Sequence, residues 1–139
     1  MSGRGRHAPR ALIALCALVP VLAGCGGPGE RGDQVKGVAR TFERALDGDD
    51  RAALCAALAP ETRSKVEDSE KKPCLDAIDA QDLPAGGPVR SVDVYGRQAR
   101  AVLRSDTLFL SRFQDGWKIV AAGCVPRSGR PYQCSVEGG

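Results

Sequence analysis

The chain has 139 residues, with 20 Lys and Arg against 17 Asp and Glu, a single His and six Cys. All of the excess positive charge lies before residue 25, at Arg4, Arg6 and Arg10, so the remainder is formally neutral and lacks the clustered basic face that nucleic-acid binding requires. His7 lies in the same opening segment, so the rest has no imidazole, which excludes Ser-His and Cys-His nucleophilic sites and histidine metal sites.

The opening segment has three parts: an arginine-bearing start without acids, an apolar run over residues 11–22, and small residues leading into Cys25. That is the plan of a secretory signal. An apolar run of about 12 residues is shorter than the roughly 20 that a helix needs to cross a bilayer, and Pro20 interrupts it. Leu22-Ala23-Gly24-Cys25 resembles the bacterial lipobox. The resemblance implies cleavage before Cys25 and lipidation of its thiol, which would anchor the protein by its N-terminus to the outer face of the cell membrane. The expected organisation is a signal peptide over 1–24, a lipidated flexible tether over 25–34 and one domain over 35–139. The 115 residues from Cys25 onward suffice for one core and not for two. Arg31-Gly32-Asp33 within the tether is a three-residue match of the kind chance supplies, and no function is attached to it.

Over 34–46, Val35, Val38, Ala39, Phe42, Ala45 and Leu46 recur at spacings of three and four, which predicts an amphipathic helix capped by Asp33 and stopped at Gly48. A second helix is expected from Asp49 or Asp50 to Ala59, ending before Pro60. Residues 61–70 read as a polar helix burying little beyond Val66, and a short helical piece follows Pro73 through Cys74, Leu75, Ala77 and Ile78. The Ser69–Lys72 spacing matches the Ser-x-x-Lys pattern of penicillin-binding enzymes, but no Lys-Thr-Gly follows and the charged run around it reads as solvated.

The period then changes. Residues 89–95, 97–104, 107–113 and 117–122 are four β-rich runs with short connections, which predicts an antiparallel meander. Asp115-Gly116 is expected at the centre of a type I′ turn. That places Trp117, Ile119 and Ala121 on the face of Leu108, Leu110, Arg112 and Gln114, with Phe109, Phe113 and Val120 opposite. Both faces are therefore partly apolar; one is expected under the helices, and the other fits a pocket wall or a dimer surface.

With Cys16 discarded and Cys25 lipidated, Cys55, Cys74, Cys124 and Cys134 remain. An even number in an exported chain reads as two disulfides, with three connectivities open. Sequence neighbours are the expected pairs, Cys55–Cys74 and Cys124–Cys134, because Pro126, Gly129 and Pro131 make 125–133 a turn-rich loop that a bridge could close. The spacings lack the Cys-x2-4-Cys knuckle of structural zinc, and no metal or cofactor is expected.

Leu54-Cys55, Lys72-Pro73-Cys74, Asp106-Thr107-Leu108-Phe109-Leu110, the stretch from Gly116 to Cys124 and Pro131-Tyr132-Gln133-Cys134 together resemble a group of uncharacterised actinobacterial lipoproteins with a short NTF2-like (SnoaL-like) domain. The resemblance implies an α+β fold, with N-terminal helices packed on a curved antiparallel sheet of about four strands in an NTF2-like cone. It implies export and paired cysteines, and transfers no catalytic residue. Some enzymes of this fold class use a carboxylate and a tyrosine inside the cone, so Asp93, Tyr95 and Trp117 are the candidate pocket residues. Their plainer uses are a solvated acid, an edge tyrosine and a core tryptophan, and Asp106 reads as a turn residue. The expected function is a non-enzymatic binding or accessory domain at the cell envelope. It would meet the membrane through Cys25 and bind an envelope protein or a small apolar ligand. The alternatives are a ketosteroid-isomerase-like enzyme and a structural subunit of an envelope complex.

Overall fold

In the computed structural model, which describes Met1 and residues 27–138, the first element is helix α1 (Pro28–Asp47). Leu22, Ala23, Gly24 and Cys25, with residues 2–21 of the expected signal peptide, lie outside the described residues. Helix α1 begins five residues before the expected cap at Asp33, so residues 28–34 are helical where composition suggested a tether. Extended Gly27 precedes Pro28, whose fixed φ suits a first helical position where no N–H is needed, and Glu30 complements the positive helix start. The helix forms there despite Gly29 and Gly32, each of which costs about 1 kcal/mol relative to Ala.

Helix α2 (Arg51–Ala57) is capped by Asp50, whose Oδ1 accepts the Ala53 N–H at 3.0 Å. Helices α3 (Pro60–Glu70) and α4 (Cys74–Ala77) follow, and a 3-10 turn (Ile78–Gln81) closes the helical half. Strands β1 (Val89–Tyr95), β2 (Gln98–Leu103), β3 (Thr107–Phe113) and β4 (Gly116–Ala122) then form the expected meander. Beyond it lie β5 (Val125–Arg127), β6 (Arg130–Gln133) and β7 (Val136–Glu137). Strand β7 pairs antiparallel with β4, so the sheet has five strands in the order β1-β2-β3-β4-β7, and β5 and β6 form a separate hairpin. The fold is α+β, with one strand more than expected.

Pairing sets the two faces of the sheet. Val92 and Val94 lie opposite Ala101 and Ala99, which face Leu108 and Leu110, and Leu110 faces Ile119. This row meets Val35, Ala39 and Phe42 of α1 in one core, where Phe42, Leu108, Leu110 and Ile119 are wholly buried. The hairpin register differs from the expected one by two residues: Phe113 pairs with Gly116 and Arg112 with Trp117, so Gln114 and Asp115 form the turn. Neither turn residue has positive φ, whereas Gly116 adopts φ +121°. The left-handed position falls on the glycine alone, which rules out a type I′ turn centred on Asp115-Gly116. A two-residue shift preserves side-chain alternation, so Trp117 still shares a face with Arg112, Leu110 and Ile119.

Both disulfides link neighbours, Cys55 to Cys74 and Cys124 to Cys134. The first ties α2 to α4 inside the core, and the second closes the loop that carries β5 and β6. From that loop the Tyr132 ring meets Phe109 edge-on at 5.0 Å. The outer sheet face, whose role the sequence left open, is therefore partly covered by the disulfide-closed hairpin.

Candidate functional site

The sheet divides the three expected pocket residues. Asp93 and Tyr95 alternate with Val92 and Val94 and so lie on the outer face, whereas Trp117 is on the helix face and only 5 % exposed. Asp93 Oδ2 accepts from Arg100 Nη2 at 2.8 Å and Nε at 3.2 Å across the β1–β2 pair, and this ion pair is open to solvent. Tyr95 is 64 % exposed. No carboxylate–tyrosine site forms from them in an enclosed cone, because β1 is an edge strand and their face is not the one that the helices cover.

Trp117 instead forms the wall of a groove of about 860 Å³ between α1, α2 and the β3–β4 hairpin. Val38, Ala53 and Ala57 supply apolar surface, and Gln34, Arg112 and Lys118 supply polar atoms. Lys118 latches the hairpin: its Nζ donates to the Ala56 carbonyl at 3.0 Å and pairs with Asp115 at 3.2 Å. The Arg112 guanidinium carbon is 5.9 Å from the centroid of the indole, and Arg112 Nη1 donates to Gln34 Oε1 at 2.7 Å. Buried Trp117 Nε1 has no hydrogen-bond partner. A roomy, mainly apolar concavity with a few placed polar groups is what small-molecule sites offer.

Two buried carboxylates lie elsewhere and serve the backbone. Glu43 Oε2 accepts the N–H groups of Gly86 and Gly87 at 2.7 and 3.0 Å, and Asp106 accepts those of Thr107, Gly123 and Cys124. Gly86 is wedged beside them: a Cβ there would stand 2.7 Å from that of Asp106, so the close approach requires glycine. Burial, partly offset by the backbone N–H groups, pushes both carboxyls above their ordinary values. Nearby Asp106 adds to the rise at Glu43, whose Oε1 has no partner.

A raised carboxyl binds protons more readily folded than unfolded. Its contribution to stability is therefore full below the ordinary value of 4.5 and falls as pH rises through the folded value. Urea unfolding from pH 3.5 upward should show the native protein losing more stability above pH 4.5 than Glu43→Gln, and parallel curves for the two would refute the assignment.

Among the described residues no group of three or more His, Cys, Asp and Glu could hold a metal ion, and no helix is long and apolar enough to cross a membrane. No protein-family model, curated protein or solved structure matches the chain. Sequence reasoning missed Glu43, although a signal existed: it lies four residues after Ala39 and three before Leu46, on the apolar stripe of α1. It also missed the groove, which draws on three separate elements.

Proposed function

We propose that this chain is an exported, lipid-anchored binding domain that takes a small, largely apolar ligand in the groove beside Trp117. The observation that carries the reading is the groove itself, about 860 Å³ with an indole wall and the apolar side chains of α1 and α2. Two disulfides support an oxidising, extracytoplasmic setting. Helices packed against one face of an antiparallel meander support the short NTF2-like form. A non-enzymatic role fits Asp93 held by Arg100 in solvent and the two buried carboxylates occupied by backbone N–H groups.

Trp117 is the single tryptophan of the chain, so its emission reports on the groove alone. An aliphatic amphiphile, dodecanol or dodecanoate, should shift that emission saturably, and Ala57→Glu should abolish the response. Absence of a saturable shift with either probe would overturn the groove reading. Anchoring has its own test: Cys25→Ala should move the protein from the membrane to the precursor or soluble fraction, and unchanged membrane fractionation would refute lipidation.

A further inference from the structure

We propose that Arg31, Arg97 and Arg112, with the indole N–H of Trp117, hold the oxyanion headgroup of a small amphiphile whose apolar tail lies in the groove; this rests on the groove reading above. A second cavity of about 390 Å³ adjoins the groove between the start of α1, the β1–β2 turn, the end of β3 and the start of β4. Gln34, Arg112 and Trp117 line both cavities, so one molecule can occupy the two. The first is mainly apolar, whereas the second gathers three guanidinium groups.

The orphaned atoms give the sign of the missing partner. Among the described residues three buried side-chain polar atoms lack a hydrogen bond: Arg31 Nε, Trp117 Nε1 and Glu43 Oε1. The two donors belong to residues of this cavity. A buried donor without an acceptor is costly, and a ligand oxygen would relieve both.

The arginines are also short of counter-charge. The ion pairs of the described residues join Arg51 to Asp79, Arg63 to Glu67, Arg100 to Asp93 and Lys118 to Asp115, and none reaches Arg31, Arg97 or Arg112. Glu30, the one carboxylate in the lining, is in no such pair. Arg97 spends Nη2 on the Arg112 carbonyl at 2.7 Å, and Arg112 spends Nη1 on Gln34. Each guanidinium has five N–H donors, so most stay available, and their planar fork matches a carboxylate or a phosphate. Arg112 is held over the indole, which fixes one fork at the junction of the two cavities. The concavity and the burial of the indole N–H favour a single molecule inserted head and tail over contact with a flat lipid surface.

The test is a titration of the full chain, followed by Trp117 emission, with monomeric dodecanoate, dodecyl phosphate and dodecanol, and with vesicles of anionic and of zwitterionic phospholipid. The two anionic amphiphiles should bind at least tenfold more tightly than dodecanol. Arg97→Met, outside the apolar groove, should weaken the anions by roughly 10- to 100-fold and leave dodecanol unchanged, as loss of a charge-assisted hydrogen bond predicts, and Arg112→Met, which lines both cavities, should weaken the anions by more than it weakens dodecanol. Equal affinity for acid and alcohol would overturn the oxyanion site and leave the groove standing. Silence from all three amphiphiles would overturn both readings. A response to anionic vesicles without one to monomers would also overturn the inference and assign the arginines to a membrane surface.

Discussion

Asp106→Ala should destabilise the protein by about 3–5 kcal/mol, a large share of the 5–15 kcal/mol typical of a domain. Asp106 is 6 % exposed, and its carboxylate is the acceptor for three backbone donors. Oδ1 takes Thr107 and Cys124, each at 2.6 Å, and Oδ2 takes Gly123 at 3.0 Å. Gly123 turns the chain out of β4 at φ +65°, and Cys124 starts the disulfide loop, so one side chain pins the start of β3 to the exit of β4. Alanine would leave three buried N–H groups without acceptors, each costing about 1–3 kcal/mol. Asp106→Asn keeps one oxygen but presents an amide N–H to a donor, and it should lose less than alanine. Urea unfolding near neutral pH measures both, with exposed Asp68→Ala as a control expected within about 0.5 kcal/mol of the native protein. A loss below about 1 kcal/mol for Asp106→Ala would show that the corner holds without its carboxylate.

The helical stripe of α1, the start of α2 beside Asp50, the four principal strands and the cysteine pairs were all legible, because each rests on neighbours close in sequence, whereas the expected cap at Asp33 lies inside α1. Period, cap and turn chemistry are local signals. What was not legible depends on contacts distant along the chain. Strand β7 is two residues long, too short to show a period, and is fixed by Ala122 and by the Gly138 N–H donating to the Val120 carbonyl at 2.8 Å. Strands β5 and β6 each contain a proline, which read as loop; a hairpin outside the main sheet tolerates them. Asp106 did sit at a turn, as read, but the two donors from the far end of β4 gave it its importance. Arg31, Arg97 and Arg112 come from α1, the β1–β2 turn and β3, and no spacing rule joins them. The expected trio of Asp93, Tyr95 and Trp117 failed as a unit because no local signal relates the faces of β1 to those of β3 and β4: pairing through β2 puts Val92 and Val94, not Asp93 and Tyr95, on the face that Trp117 shares.

Removing the Cys55–Cys74 bridge as the double variant Cys55→Ala, Cys74→Ala should cost about 3 kcal/mol from loop entropy alone and lower the melting temperature by on the order of 10–20 °C. Both cysteines are buried, so lost sulfur packing adds to the effect. The Cys124–Cys134 bridge spans 10 residues against 19, and Cys134 is partly exposed, so this second bridge should be reduced first in the folded protein. Thiol labelling across a reductant series should show two steps, Cys124 and Cys134 before Cys55 and Cys74; simultaneous release of all four thiols would refute that order. The two bridges also bear differently on the groove. Ala53 and Ala57 flank Cys55 in α2 and line the cavity beside Trp117, whereas Cys124 and Cys134 lie among residues that line none of it. The double alanine variant at 55 and 74 should therefore weaken amphiphile binding at temperatures where it remains folded, and the corresponding variant at 124 and 134 should leave binding intact. Equal loss in both would mean that the groove depends on the stability of the whole domain and not on the placement of α2.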